Sequence, residues 1–228
     1  DLAPYSAADL SGFTSRAVST GFDVRNTIDA MLARYYLYTG QYQQALDAAT
    51  RVDLTKVSLL AYPDPDLNPI YNYSVVAGYV APLKSWARSA EPNDKRVPFW
   101  VDTLATPPNG NPPSLQLSQF AIYGTRNSPF PVYLPGEVLL IKAEAEAQLN
   151  QLPAAIDDIN AERPPSGSAN TPGAQLPALT AVQLDTKDKV LAQIAHERQY
   201  ELFSQGLRWE DLRRLGTLAG VQPKVEFL

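Results

Sequence analysis

Residues 22–53 read FDVRNTIDAMLARYYLYTGQYQQALDAATRVD, and this stretch decides the fold. Ile28, Met31, Leu32, Tyr35 and Tyr36 recur at spacings of three and four, which predicts one apolar face of a helix. Asp23 or Asn26 offers the side-chain oxygen that caps its first turn. The pattern breaks at Thr39-Gly40, where glycine takes the left-handed position after the last turn without steric cost. A second helix begins at once and runs through Tyr42, Ala45, Leu46, Ala48 and Ala49. Its alanines leave room for two helices to cross closely. The stretch therefore predicts a first antiparallel helical hairpin over 22–53.

Residues 135–163 repeat the plan. Pro135 or Gly136 opens a helix from Glu137 to Ala147, the chain turns after Leu149-Asn150, and Pro153 starts the next helix at Ala154–Asn160. In the first hairpin Leu37, Gly40, Tyr42, Ala45 and then Ala48 or Ala49 resemble the tetratricopeptide pattern, which an ordinary helix pair also satisfies. Two such units are too few for a regular solenoid but can pack as a scaffold. Asp185 or Thr186 then caps a helix bearing Val190, Leu191, Ile194, Ala195 and Leu202. Gly206 ends it, and Trp209 to Leu215 completes the closing helices over 185–215. Val221 to Leu228 read as extended. The expected fold class is mainly α.

Between the hairpins, residues 54–134 are rich in Pro, Asn, Ser and aromatic residues. Pro107-Pro108 and Pro112-Pro113 flank Asn109-Gly110-Asn111, a loop signal. Short strands are expected around Tyr73–Val80 and Leu117–Tyr123. Long irregular segments in compact domains are often functional. Sugar rings present apolar C–H faces that stack on aromatic side chains, so the candidate ligand-binding residues are Trp86, Tyr71, Tyr73, Tyr79 and Arg88. Trp86 leads because Lys84, Ser85 and Arg88 around it are polar, which predicts an exposed indole. The competing reading is that these rings are core.

Composition narrows the chemistry. The 228 residues carry a net charge of −5, which disfavours nucleic acid as a partner. Zero cysteines exclude disulfides, thiolate-bound zinc and thiol catalysis. No run of 18 apolar residues offers a membrane span. The start at Asp1 implies a chain processed or cut from something longer. His196 is the sole histidine; it is expected to face solvent and has no second histidine beside it for a metal site or triad. There is no glycine-rich phosphate loop. No catalytic residue, metal or cofactor is expected.

Residues 194–214 read IAHERQYELFSQGLRWEDLRR. This resembles the C-terminal signature of the SusD/RagB family at Ile194, Glu197, Arg198, Glu201, Leu202, Gly206, Arg208, Asp211, Leu212 and Arg213. Gln205 stands where the family usually carries an acid. The second hairpin also fits, from Leu134 through Glu144 to Asn160 and Arg163, although Pro164-Pro165 departs from the usual continuation. Asn93-Asp94-Lys95-Arg96 resembles a central Asp-Arg element of such proteins. The resemblance covers roughly residues 22–215. It implies a single SusD-like domain over 1–228, incomplete at its N-terminus. It further implies a non-enzymatic cell-surface lipoprotein of the outer membrane, which captures glycans or peptides for a SusC-like TonB-dependent transporter. The membrane would be reached only through an N-terminal lipid anchor outside this chain. The alternative is an intracellular tetratricopeptide-type adaptor for another protein. The cluster Glu197, Arg198, Glu201, Arg208 and Asp211 is expected to be a structural ion-pair network, with Arg208 forking back onto Glu197 or Glu201, and not an acid/base site.

Overall fold

A computed structural model of the chain describes residues 21–110 and 116–218, with Leu10, Gly12 and Phe13 ahead of them. Its helices are α1 (Val24–Tyr38), α2 (Tyr42–Thr50), α3 (Pro69–Tyr71), α4 (Lys84–Arg88), α5 (Arg96–Trp100), α6 (Pro135–Gln148), α7 (Leu152–Glu162), α8 (Lys187–Glu201) and α9 (Arg208–Leu215). The architecture is mainly α, with both hairpins and the closing helices where the sequence places them. Asp23 is the cap of α1, accepting from the Asn26 backbone N–H at 3.0 Å, and Gly40 turns the chain at φ +73°. Thr186 caps α8 through the Lys189 N–H at 3.3 Å. The expected extended segment 221–228 and the loop residues Asn111, Pro112 and Pro113 lie outside the described residues.

The inward face of α1 differs from the expected one. Ala30, Ala33 and Leu37 are buried, whereas Leu32 is 36% and Tyr35 62% exposed. The reason is the partner. α1 packs on Ala45, Ala48 and Ala49 of α2 and on Val138, Ile141 and Ala145 of α6, and such close helix approach admits small side chains at the crossing. Met31 and Tyr36 only edge that cluster. Polar Asn26 and Thr27 also face inward, each with a partner. Asn26 exchanges bonds with the Asp53 backbone at 2.7 and 3.0 Å, and Thr27 donates to Ser58 at 2.7 Å. Full burial of Leu37 or Ile141 stabilises by about 1.5–3 kcal/mol each.

α6 is the central element, buried on nearly every side and packed against α2, α7 and α8. A second cluster, Ala143, Ala147, Ile156, Ile159, Leu191 and Ile194, welds α6, α7 and α8.

The insertion is less irregular than expected. β1 (Leu59–Leu60) pairs antiparallel with β4 (Phe130–Pro131), and β2 (Val101–Asp102) with β3 (Gln119–Phe120). The strand expected around 117–123 is thus present in short form. The one expected around 73–80 is not. There α3 runs directly into a π-helical turn, Asn72–Val76. Asn68 overrides the β-branched Val75-Val76 by accepting from the N–H groups of Ile70 and Tyr71 at 2.8 and 3.1 Å, with Pro69 in the first helical position. A third core cluster, centred on Trp100, Tyr123, Phe120 and Leu134, ties the insertion to Leu202 and Phe203 after α8.

Candidate functional site

Two features could carry function: a buried set of ion pairs and an exposed aromatic lobe.

The ion pairs centre on Arg96, fully buried at the start of α5. Its guanidinium lies 2.7 Å from Asp94, 3.0 Å from Glu162 and 2.7 Å from Glu197. Burial opposes its charge, but the three carboxylates outweigh burial and hold it charged above its usual range. Arg163, just after α7, binds Glu197, both oxygens of Glu91 at 2.8 and 2.9 Å, and the Pro177 carbonyl at 3.0 Å. A second set joins Arg198 to Asp211 at 2.9 Å, and Arg214 to Asp211 and Glu144. Glu201 is fully buried among carboxylates; burial, then Glu162 beside it, raises its affinity for a proton.

Of the expected network, Glu197, Arg198 and Asp211 are members. Arg208 is not paired as expected. It donates to the Ala195 carbonyl at 3.1 Å and to Gln199 Oε1 at 2.8 Å. Glu197 and Glu201 stand two residues along from these positions, hence roughly 200° around the helix, and face α6 and α7 instead. Arg213 is exposed and reaches Glu210 at 3.4 Å. Sequence reasoning left Arg96, Glu162 and Arg214 out of the network. Only the Asp94-Arg96 element hinted at them.

His196 is half-buried, not solvent-facing; its Nε2 lies 3.3 Å from Glu91 and its ring meets Tyr200 edge-on. With Glu91 and Glu197 it brings three metal-ligand atoms within 4.8 Å of one another. Arg163 already lies on both carboxylates, so a metal ion there would have to displace a buried guanidinium. A shallow cleft of about 340 Å³ opens beside this set, lined by Ala87, Glu91, Asn93 and Lys95 among others.

The aromatic candidates divide. Trp86 is not an exposed ring. Its indole stacks on Phe203 at 3.8 Å, lies 5.4 Å from Tyr200 and donates weakly to the Gln199 carbonyl at 3.4 Å. Lys84, Ser85 and Arg88 are polar because α4 turns its other sides outward, and one residue of a short helix is enough to anchor it. Arg88 is exposed on the last turn of α4, and Tyr71 is half-buried. Tyr73 and Tyr79 are 54% and 77% exposed. The Tyr79 N–H donates to the Tyr73 carbonyl at 2.8 Å, which holds the two residues together around the π-helical turn. Gly78 makes this possible at φ +66°, with Asn109 donating to the Ala77 and Gly78 carbonyls at 2.9 and 3.2 Å. Val76 and Val80 beside them are also half exposed. π-turns occur frequently at functional sites.

No helix among the described residues is long and apolar enough to cross a membrane. No curated protein sequence matches the chain. Solved structures of SusD-superfamily proteins share its fold. A SusD-like carbohydrate binding protein from Bacteroides vulgatus superposes with a TM-score of 0.63 at 18% identity, covering 88% of this chain and 47% of that one. A SusD superfamily protein from Parabacteroides distasonis gives 0.62 at 17%, covering 86% and 53%. One from Bacteroides thetaiotaomicron gives 0.59 at 16%, covering 83% and 49%. The chain thus spans about half the length of the structures it matches. Residues 118–225 match the model of the SusD family. That segment carries α6, two of the three buried acids that engage Arg96 (Glu162 and Glu197), and the Glu197, Arg198 and Asp211 motif. The C-terminal half of the chain thus resembles the SusD family in sequence, and the fold as a whole is that of the SusD-superfamily structures.

Proposed function

We propose that this protein captures oligosaccharides without chemically altering them, and that the exposed tyrosine pair of the insertion is part of the capturing surface. The carrying observation is Tyr73 and Tyr79, joined through their backbones by one hydrogen bond and each open to solvent. Exposed rings offer apolar faces for stacking, and Asn72 on the same turn adds a neutral amide. Glycoside hydrolysis needs two carboxylates across a cleft. Here Asp94, Glu162, Glu197, Asp211 and Glu144 are buried in arginine pairs, which supports a non-catalytic role. The resemblance of residues 118–225 to the SusD family supports the rest of the reading: a surface position at the outer membrane through a lipid anchor, and delivery to a SusC-like transporter. The test is a glycan array probed with the wild type and a Tyr73→Ala/Tyr79→Ala variant. Signals that the variant loses support the reading. Signals unchanged by the variant remove the tyrosines from the surface, and release of reducing ends from a bound glycan would make the protein an enzyme.

A further inference from the structure

Two stretches of the chain contain no Asp, Glu, Lys, Arg or His: residues 67–83 and residues 103–125. With 19% of all residues charged, stretches of this length would ordinarily hold several charges. The fold brings the two together. Lys84 N–H donates to the Gln116 carbonyl and Ser118 N–H to the Pro82 carbonyl, each at 2.8 Å, and Leu83 bridges to Leu117. Asn109 clasps the turn at Ala77 and Gly78 from the other side. The result is one uncharged lobe bearing Tyr73, Val76, Tyr79 and Val80, all more than half exposed, with Leu104 at 92%.

Four charges border these stretches, Asp66 and Lys84 the first, Asp102 and Arg126 the second, and the last two are committed. Asp102 accepts from the N–H groups of Leu104 and Ala105, and Arg126 pairs with Asp64 at 2.8 Å. Asn109 spends its amide N–H groups on backbone carbonyls. A uronate or sulfate laid on Tyr79 would give up hydration against valine side chains, with no cation within either stretch to replace it. The net charge of −5 adds repulsion at longer range. A neutral sugar loses nothing of the kind, because C–H stacking and amide hydrogen bonds need no charge. We infer that the uncharged lobe around Tyr73 and Tyr79 selects neutral oligosaccharides and discriminates against uronate- and sulfate-bearing ones. The inference rests on the glycan-capture reading above and names its substrate class.

Calorimetric titrations of the wild-type chain with xylan, mannan and galactan hexasaccharides, and with oligogalacturonate and chondroitin sulfate hexasaccharides, test it. At least one neutral ligand should bind, with an affinity insensitive to salt, and the acidic ones at least about tenfold more weakly. Val80→Lys places one cation on the lobe and should improve acidic binding up to about fivefold at low salt. Equal affinity for acidic and neutral hexasaccharides that Tyr79→Ala abolishes would overturn the selectivity and leave the capture reading standing. Neutral binding that Tyr73→Ala and Tyr79→Ala leave intact would overturn both. Binding to phosphatidylethanolamine vesicles, or dimerisation, lost in Tyr79→Ala would assign the lobe to a lipid surface or to a second copy and would also overturn the proposal.

Discussion

Among the described residues Arg96 alone touches Asp94, Glu162 and Glu197 together, and Arg96→Met removes that cation while keeping much of the side chain's apolar length. Arg96 is 0% exposed and its three partners are 4%, 6% and 0% exposed, so solvent cannot take over its role. Breaking a buried ion pair by removing one partner costs about 3–5 kcal/mol, because the remaining charges stay uncompensated. For a chain of this size each kcal/mol lowers Tm by about 2–4 °C, which gives a fall of about 6–20 °C. The matched control is Arg126→Ala. Its pair with Asp64 has a similar distance, 2.8 Å, but the side chains are 52% and 68% exposed, and the expected loss is under about 1 kcal/mol. Thermal melts followed by circular dichroism at pH 7 compare the two. A second reading comes from pH. Acid protonates the stranded carboxylates, so the deficit of Arg96→Met should shrink at pH 5. A melt within about 2 °C of wild type at pH 7, or a deficit equal at both pH values, would refute the central role given to Arg96.

Glu201 is raised in proton affinity by burial and by Glu162, so its protonated form is the one folding favours. A group shifted this way contributes stability that is full below its unfolded value, near 4.5, and lost as pH rises through its folded value. Glu201→Gln, neutral at every pH, should therefore melt increasingly above wild type between pH 5 and pH 8; parallel curves would show that no proton is held there. Trp86→Ala should lower stability by about 3 kcal/mol, the lower end for a large ring, since the stack on Phe203 is lost from a partly exposed position. Glycan affinity measured well below the melt should be unchanged, and a selective loss of affinity would return Trp86 to the binding surface. Arg208→Ala gives up two hydrogen bonds, to Ala195 and Gln199, and should cost no more than about 3 kcal/mol. A larger fall than that of Arg96→Met would contradict the geometry described for both.

The hairpins were legible because their signals are local. Gly40, Pro153, Asp23 and Thr186 act within a few residues of themselves, through conformational freedom, fixed φ or a single cap bond. The face that α1 buries was not legible by hydrophobicity, because Ala30 and Ala33 matter for their size and Leu32 and Tyr35 were read for their apolarity. What a face buries depends on how near its neighbour comes, and that neighbour includes α6, far along the chain. The same distance hid Arg96 from the ion network: beyond Asp94, two residues away, its acids Glu162 and Glu197 come from α7 and α8, and only tertiary folding makes them adjacent. In the insertion, Tyr73 and Tyr79 could be picked as aromatic residues in a loop-rich stretch, but their exposure follows from the π-turn and the Asn109 clasp. Trp86 misled because polar neighbours on a one-turn helix describe the helix's other sides, not the tryptophan's.

Gly136 stands in the first turn of α6, where an added methyl group would run into the carboxyl end of Glu201 and come within 2.8 Å of its Cγ. Because Glu201 is fully buried, it has nowhere to swing. The two positions are therefore bound to change as a pair. Any side chain at 136 requires a shorter one at 201, and a shorter one at 201 leaves a void unless 136 gains bulk. Among descendants of this chain, or in a library that randomises both sites, single substitutions that change side-chain length at either should be purged, with the isosteric Glu201→Gln spared, while glycine with glutamate and alanine with serine or alanine persist as separate solutions. A packing detail at one helix end thereby becomes a rule about which sequences can be neighbours in evolution.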